Sequence, residues 1–415
     1  MLFNAIDFCY NRHMSSVPNL RHLQAVAEAV RRRNLGRAAQ AVHLSQPATT
    51  QAIRKLEAGL GTQLFERTSA GLNPTEAGRR LALRIERAFD WLNAGRRLLG
   101  DDLPPLESTA TGVQLRAITA VAEYGGYSLA ARELGVSQPS VHRAVRDFQS
   151  LCGRALFRAT PQGLELIPPA REVARCFSLA LAEIEQGAED VRESLGIVNG
   201  RVWIGCLPLA RTGLLPDALT RLLERFPDVK VRIFDGAYGE LLHALRHGRI
   251  DLIVGALRLP VPTADIEQEA LFSDPLSIVV RTGHPMLAGP PPSAERFATL
   301  DWIVPREGTP ARDKFHAFFG MRGLSPPEHV VECSSLNVIR GMLLRSDRAG
   351  LLSAAQVRYE VETGQLGVLP MPLSGTERPI GLTVRKNWQP TVAMSSLMTL
   401  LREAVVFGNR PPSTG

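Results

Sequence analysis

At 415 residues the chain is about three times the length of a typical single domain, so two to four folded units are expected. Its make-up, 45% hydrophobic and 21% charged with 35 Gly and 29 Pro, excludes extended disorder and collagen-like or coiled-coil repeats. No run of about 18 apolar residues offers a membrane-spanning helix. The net charge of +7 is unevenly spread: residues 1–100 carry +8, residues 101–195 carry −4 and the remainder +3. That is the footprint expected of a nucleic-acid-binding module at one end of a larger protein.

Residues 1–17 read as an amino-terminal extension. The apolar stretch up to Tyr10 is broken by Asn4 and Asp7 and has neither a basic start nor a small-residue cleavage site, so secretion is not expected, and Met14 offers a second translation start. Five scattered cysteines (Cys9, Cys152, Cys176, Cys206, Cys333) form no CxxC pair, which suits a reducing, cytoplasmic compartment and excludes a zinc ribbon.

From Leu20 the sequence repeats itself. An offset of 92 residues superposes Ser45-Gln46-Pro47 on Ser137-Gln138-Pro139, Ala38-Ala39 on Ala130-Ala131, Leu64-Phe65 on Leu156-Phe157 and Gly71-Leu72 on Gly163-Leu164, with 15 identities in 59 ungapped positions. Each copy reads as three short helices. In the first, Leu20, Leu23, Val26, Ala27 and Val30 form one apolar stripe, Leu35, Ala38, Ala39 and Val42 a second, and Ala48, Ala52, Ile53 and Leu56 a third. Ser45 is a good N-cap and Pro47 falls in the first turn, so residues 35–54 read as a helix-turn-helix within a module of residues 18–75. A two-stranded wing follows.

A long linker helix over 76–100 then carries Leu81, Ile85, Ala88, Leu92 and Leu99 near heptad spacing. Nothing in its own small module covers that stripe, so a partner subunit is expected to do so. Residues 101–111, with Pro104-Pro105, read as a loop, residues 112–169 as the second module and 170–196 as a second linker helix with Val173, Phe177, Ala180, Ile184 and Val191 on its apolar face.

From 197 to 410 the pattern becomes α/β. Short apolar runs at 202–206, 229–234, 251–255, 276–280 and 302–304 alternate with amphipathic helices at 215–226, 238–247, 312–319 and 336–344, followed by a late strand at 379–385 and a closing helix at 394–406. The length of this region favours two lobes.

Residues 18–78 resemble the winged helix-turn-helix of LysR-type transcriptional regulators. The resemblance rests on Ala38-Ala39, Leu44-Ser45-Gln46-Pro47-Ala48, Ile53-Arg54-Lys55-Leu56-Glu57, Leu60-Gly61, Leu64-Phe65, Arg67, Thr75 and Gly78. Residues 200–406 resemble that family's effector domain, similar to periplasmic solute-binding proteins. The implied architecture is multidomain: two all-α winged helix-turn-helix modules with long linker helices, then a two-lobed α/β effector domain. The family normally has one DNA-binding module, and this chain has two.

For DNA, Ser45, Gln46, Pro47, Thr49, Thr50 and Gln51 are the candidates at the start of the recognition helix. There Gln46 and Gln51 suit adenine edges and Thr50 a thymine methyl, while Arg54, Lys55 and Arg67 hold phosphates. The second module departs from the pattern. Phe148-Gln149 replaces Leu-Glu, Leu151-Cys152-Gly153 stands for Leu-Gly, Ala159 takes the wing arginine position, and Ile167 and Ala170 replace the Thr and Gly after the wing. Its core carries 6 basic against 4 acidic residues where the first carries 8 against 4. This predicts a weaker, degenerate reader. The other reading is that Gln138, His142, Arg143 and Arg146 contact a second half-site.

The effector cleft is expected between the lobes, with Pro208, Leu209, Ala210, Gly236 and Tyr238 from one lobe and Arg306, Thr309, Ser334 and Ser335 from the other. Helix N-termini and Arg306 point to an anion such as an organic or sugar acid, although the two serines also suit plain helix caps. Glu240, His243 and His247 share a helix face but lack the HExxH order, so no metal is expected. Cys206 and Cys333 read as inert thiols rather than a redox pair. No Walker A loop, GxSxG elbow or Rossmann fingerprint is present, so neither enzyme activity nor a cofactor is expected. The expected partners are double-stranded DNA, the small effector, further copies of the chain as a homodimer or homotetramer, and RNA polymerase, with no membrane. The rival is a small-molecule binding protein whose helix-turn-helix modules serve protein association, against which the basic charge of the first module speaks.

Overall fold

The computed structural model describes residues 17–68, 71–161, 163–288, 293–370, 373 and 375–408; the extension at 1–16, with Cys9 and Met14, lies outside the described residues. The first module comprises α1 (Leu20–Arg32), α2 (Leu35–Ala41), α3 (Gln46–Leu60) and a wing of β1 (Phe65–Thr68) and β2 (Gly71–Pro74), followed by the linker helix α4 (Glu76–Leu99). Ser45 caps α3, its hydroxyl accepting from Ala48 N at 3.3 Å, and Pro47 occupies the first turn where no N–H is needed. Residues 101–111 are not simply a loop. They hold a short helix, α5 (Leu106–Thr109), whose Leu106 is buried in the core shared with α1 and α4, because an apolar side chain this near two helices is drawn into their core.

The second module repeats the first: α6 (Gly112–Tyr124), α7 (Tyr127–Leu134), α8 (Gln138–Cys152), a wing of β3 (Phe157–Thr160) and β4 (Gly163–Leu166), and the linker helix α9 (Ala170–Ser194). Leu23, Val26, Ala38, Ile53 and Leu56 are buried in one copy and Leu115, Ile118, Ala130, Val145 and Phe148, their equivalents at the 92-residue offset, in the other. One departure of the second copy serves the scaffold. Glu57 Oε1 accepts from Leu64 N at 2.8 Å, and Gln149 Oε1 accepts from the equivalent Leu156 N at 2.7 Å, so the exchange of Glu for Gln keeps the bond that ties recognition helix to wing.

The two linker helices pack on each other, antiparallel, within the one chain. A Cβ placed on Gly95 would come within 3.0 Å of Phe177 and 3.3 Å of Cys176; one on Gly187 would come within 3.1 Å of Leu81 and Arg84. Gly95 and Gly187 are 92 residues apart, as are Arg84 and Cys176. Exchanging the copies therefore carries one contact onto the other, the reciprocity of a two-fold interface, here made by one polypeptide. Leu81, Ile85, Ala88, Leu92 and Leu99 meet Val173, Phe177, Ala180, Ile184 and Val191, and all ten are buried. The expectation that a second subunit covers α4 is thus corrected: α9 covers it. The copies also touch at their starts, where a Cβ on Gly112 would fall 2.5 Å from Val17.

The α/β region forms two lobes. In lobe one β5 (Arg201–Cys206), α10 (Leu214–Arg225), β6 (Lys230–Phe234), α11 (Tyr238–Arg246), β7 (Leu252–Ala256) and β8 (Ile266–Asp274) are completed from the chain end by β14 (Arg378–Arg385) and α16 (Val392–Gly408), in strand order β6-β5-β7-β14-β8. Lobe two contains β9 (Leu276–Arg281), α12 (Ala294–Ala298), β10 (Trp302–Val304), α13 (Pro310–Gly320), β11 (Val330–Glu332), α14 (Leu336–Leu343), β12 (Ala349–Ser353), α15 (Arg358–Glu362) and β13 (Leu366–Val368), in order β11-β10-β12-β9-β13. In each sheet the first three strands are parallel, the fourth runs antiparallel to them, and the fifth pairs antiparallel with the fourth. The chain crosses between lobes at 274–276 and 375–378, and Asp274 pins the crossing by accepting from Ser353 Oγ at 2.6 Å and pairing with Arg378. Strand β8 was not legible as a strand because Glu267, Gln268 and Glu269 interrupt its apolar alternation; it lies at the sheet edge, where polar side chains are tolerated.

Candidate DNA interface and effector cleft

On α3, Ser45, Gln46, Pro47, Gln51, Arg54 and Lys55 are exposed on one face, the arrangement a helix needs to enter a major groove. Thr49 does not belong to that face. It is wholly buried and its hydroxyl donates to Ser45 O at 3.1 Å, so its candidacy as a DNA contact is withdrawn. Thr50 is half-buried, with its hydroxyl donated to Gln46 O at 3.0 Å, and Arg67 lies in strand β1 of the wing. Replacing Arg54 with alanine should weaken binding by a similar factor on every duplex and lower the slope of log K against log salt by about one, whereas Gln46→Ala should relax base preference. Binding measured against salt on matched and scrambled duplexes separates the two.

In the second module Gln138, His142, Arg143 and Arg146 are all exposed on α8. Arg146 lies 3.7 Å from Asp147, and the His142 ring stands edge-on to Tyr127 at 5.0 Å.

Between the lobes the candidate residues separate. Pro208 is exposed at the end of β5, but Leu209 and Ala210 turn inward; Ala210 belongs to the lobe-one core, so these two side chains do not line a cleft. Gly236 and Tyr238 stand at the start of α11. In lobe two Arg306 is exposed, Thr309 caps α13 by accepting from Arg312 N at 3.3 Å while donating to Arg306 O at 2.7 Å, and Ser334 and Ser335 are exposed before α14 with no side-chain cap bond from Ser335.

Beside Tyr238 stands Arg258, a residue that the sequence patterns do not mark. Its guanidinium lies 4.3 Å from the centre of the Tyr238 ring and Nη1 donates to Ala256 O at 3.3 Å. Burial pulls its pKa down, while Tyr238 and, less strongly, Asp313 near the start of α13 act the other way. Elsewhere between the lobes, Arg358 of lobe two comes within 3.9 Å of the place a Cβ on Gly213 would take.

Other candidates fall into place around the joint between modules and lobe one. His243 Nε2 lies 3.2 Å from Glu123 of α6, which also pairs with Arg249, and Ser178 donates to His247 O at 2.5 Å. Burial alone would raise the Glu123 pKa, but the bonds to His243 and Arg249 hold it at about 2; burial and the neighbouring His243 push His247 down to about 3. Glu240 is occupied at the start of its helix, accepting from Ala237 N at 3.2 Å. Burial pushes the Cys206 thiol up to about 11, so it stays protonated, and Cys333 stands in the other lobe. A cavity of about 390 Å³ opens between α4, α9 and lobe one, bordered by Arg87, Trp91, Arg175, Arg246, Asp265 and Lys386.

A profile of the LysR substrate binding domain matches residues 196–406, and one of the bacterial regulatory helix-turn-helix protein, lysR family, matches twice, at 20–79 and 113–171. The HTH-type transcriptional regulator GalR of Pseudomonas putida is 32% identical over 403 residues, spanning 94% of this chain and 98% of that protein. The chain belongs to the LysR family of transcriptional regulators. Within the family, PcaQ of Agrobacterium fabrum is 28% identical over 290 residues, 70% of this chain and 93% of its own. Full-length LysG from Corynebacterium glutamicum, solved with its effector Arg bound, has the same fold over 72% of this chain and 100% of its own, with a TM-score of 0.51 and 17% identity. The GalR alignment thus runs through both modules, whereas these other two leave more than a quarter of this LysR regulator unmatched. It is a DNA-binding regulator of transcription with an effector-binding domain, and no described helix is long and apolar enough to cross a membrane.

Proposed function

We propose that this regulator acts in the cytoplasm, without enzymatic activity, and switches the contact between its promoter complex and RNA polymerase when a small organic or sugar acid enters the interlobe cleft. The observation that carries the anionic assignment is Arg258, a half-buried guanidinium with an aromatic ring on one side and no described carboxylate paired to it. A partly buried charge without an ion-pair partner is costly, and the carboxylate of a bound acid would supply one. The second candidate arginine, Arg306, is solvated and gains less from a ligand.

Full-length protein titrated with a panel of organic acids, sugar acids, neutral sugars and amines should gain thermal stability with an acid, by about 2.7 kcal/mol at a hundredfold excess over Kd. Arg258→Ala should weaken that response by roughly tenfold to a hundredfold in ligand concentration, as expected for one charge-assisted bond, and Arg306→Ala should change it little. A shift produced by neutral or cationic compounds and by no acid would overturn the assignment.

A further inference from the structure

We infer that a single chain reads one asymmetric operator, with α3 on one half-site and α8 on a second half-site of different sequence. The inference rests on the DNA-binding role of the first module and extends it.

The first ground is geometry. Contacts along α4 and α9 map onto each other under the 92-residue exchange, Gly95 on Cys176 becoming Gly187 on Arg84, so the modules are related by a two-fold operation inside the polypeptide. Two recognition helices related in this way can read one duplex at separations set by whole turns of DNA, about 10 base pairs or a multiple.

The second ground is that the reading face of α8 is intact. Ser137 caps it as Ser45 caps α3, with Ser140 N and Ala48 N each 3.3 Å from the capping hydroxyl. The Gln149 bond to Leu156 N preserves the tie between recognition helix and wing, so the change at that position costs no DNA contact. Gln138, His142, Arg143 and Arg146 are exposed, and Val141, Ala144, Val145 and Phe148 face the core.

The third ground is chemistry at matched positions. Gln46 and Gln138 agree, as do Arg54 and Arg146, so both helices keep one base reader and one phosphate holder. Thr50 is replaced by His142 and Gln51 by Arg143. Glutamine pairs bidentately with adenine and arginine with guanine. The half-site under α8 therefore carries G where that under α3 carries A. Lys55 is replaced by Asp147, which removes one phosphate contact and makes the α8 half the weaker in non-specific attraction.

The test is selection of duplexes from a random-sequence library with the full chain, followed by footprinting of the winners. Two unlike half-sites are expected. Gln138→Ala with Arg143→Ala should erase preference and protection in one half alone, with a loss of about ten- to hundredfold in affinity, and Gln46→Ala with Gln51→Ala in the other half alone. His142→Thr with Arg143→Gln should turn the selected sequence into an inverted repeat. These side chains are exposed, and circular dichroism melts of each variant confirm that its fold is kept. A palindromic or single-half winner for the unaltered chain, or α8 variants that leave the selected sequence unchanged while α3 variants alter it, overturns the inference and spares the DNA-binding role of module one. No enrichment at all, or indifference to α3 variants too, overturns both.

Discussion

Leu92→Asp will unfold the paired amino-terminal modules instead of splitting a dimer into folded halves. Leu92 is wholly buried against α9. The substitution removes a core side chain, worth about 2–5 kcal/mol on truncation alone, and leaves a carboxylate in an apolar seam, which adds several more. The sum is comparable to the whole stability of a domain, about 5–15 kcal/mol. Urea titration followed by far-UV circular dichroism should show the helical signal of residues 20–194 lost at low denaturant while the α/β region persists as a separate transition. A variant that stays fully helical and only halves its sedimenting mass would mean that a second subunit covers α4 after all.

The second large effect concerns Arg84. It is 1% exposed, donates to Glu183 at 2.9 Å, Gln186 at 2.9 Å and Asp190 at 2.6 Å, and reaches Gln389 O at 3.0 Å in the effector region. Burial works against its charge, but Asp190 and Glu183 outweigh that and its pKa is raised. The chain of polar contacts continues from Gln186 to Asp251 at 3.1 Å and on to Arg385 at 2.8 Å. Arg84→Ala strands Glu183 with only the Arg87 bond and leaves Asp190 unpaired beside it, an expected cost of about 3–5 kcal/mol. Arg84→Met with Glu183→Gln and Asp190→Asn, which removes the guanidinium and both carboxylates that pair with it, should recover a large part of it, as measured by chemical denaturation. If Arg84→Ala is as stable as the unaltered chain, the buried network contributes no net stability. Because the network also joins α4 to lobe one, Arg84→Ala should separate the unfolding transitions of modules and effector region further.

Much of this was legible in the sequence, and the reasons for the rest are physical. The repeat, the capped recognition helix at Ser45 and the alternation of strands and helices after Gly200 all follow from local patterns that one polypeptide segment carries by itself. The cover of α4 does not, because an apolar stripe records that something packs there and not which chain supplies it. The signal was nonetheless present: Gly95 and Gly187 stand at the repeat offset, and so do Arg84 and Cys176, the residues each glycine lies against. Thr49 was misplaced because a threonine on an otherwise polar helix start looks like a reader until the fold turns it inward. Leu209 and Ala210 were chosen by position after β5, although their apolar character already favoured the core they occupy. Arg258 was missed because it follows a buried strand in a segment without helical or strand periodicity, and its value comes only from the Tyr238 ring brought beside it by α11.

The pairing of α4 with α9 in one polypeptide also changes how the regulator responds to its own abundance. A reading head assembled from separate subunits comes apart on dilution, so site occupancy falls faster than the amount of protein. Here both halves arrive together, tethered at a fixed local concentration that does not depend on how many copies the cell holds. If one chain reads its operator alone, promoter occupancy at low abundance falls only in proportion to protein amount. The two halves are also separately encoded, so a mutation that alters one leaves the other as it was, and each can drift toward its own DNA sequence.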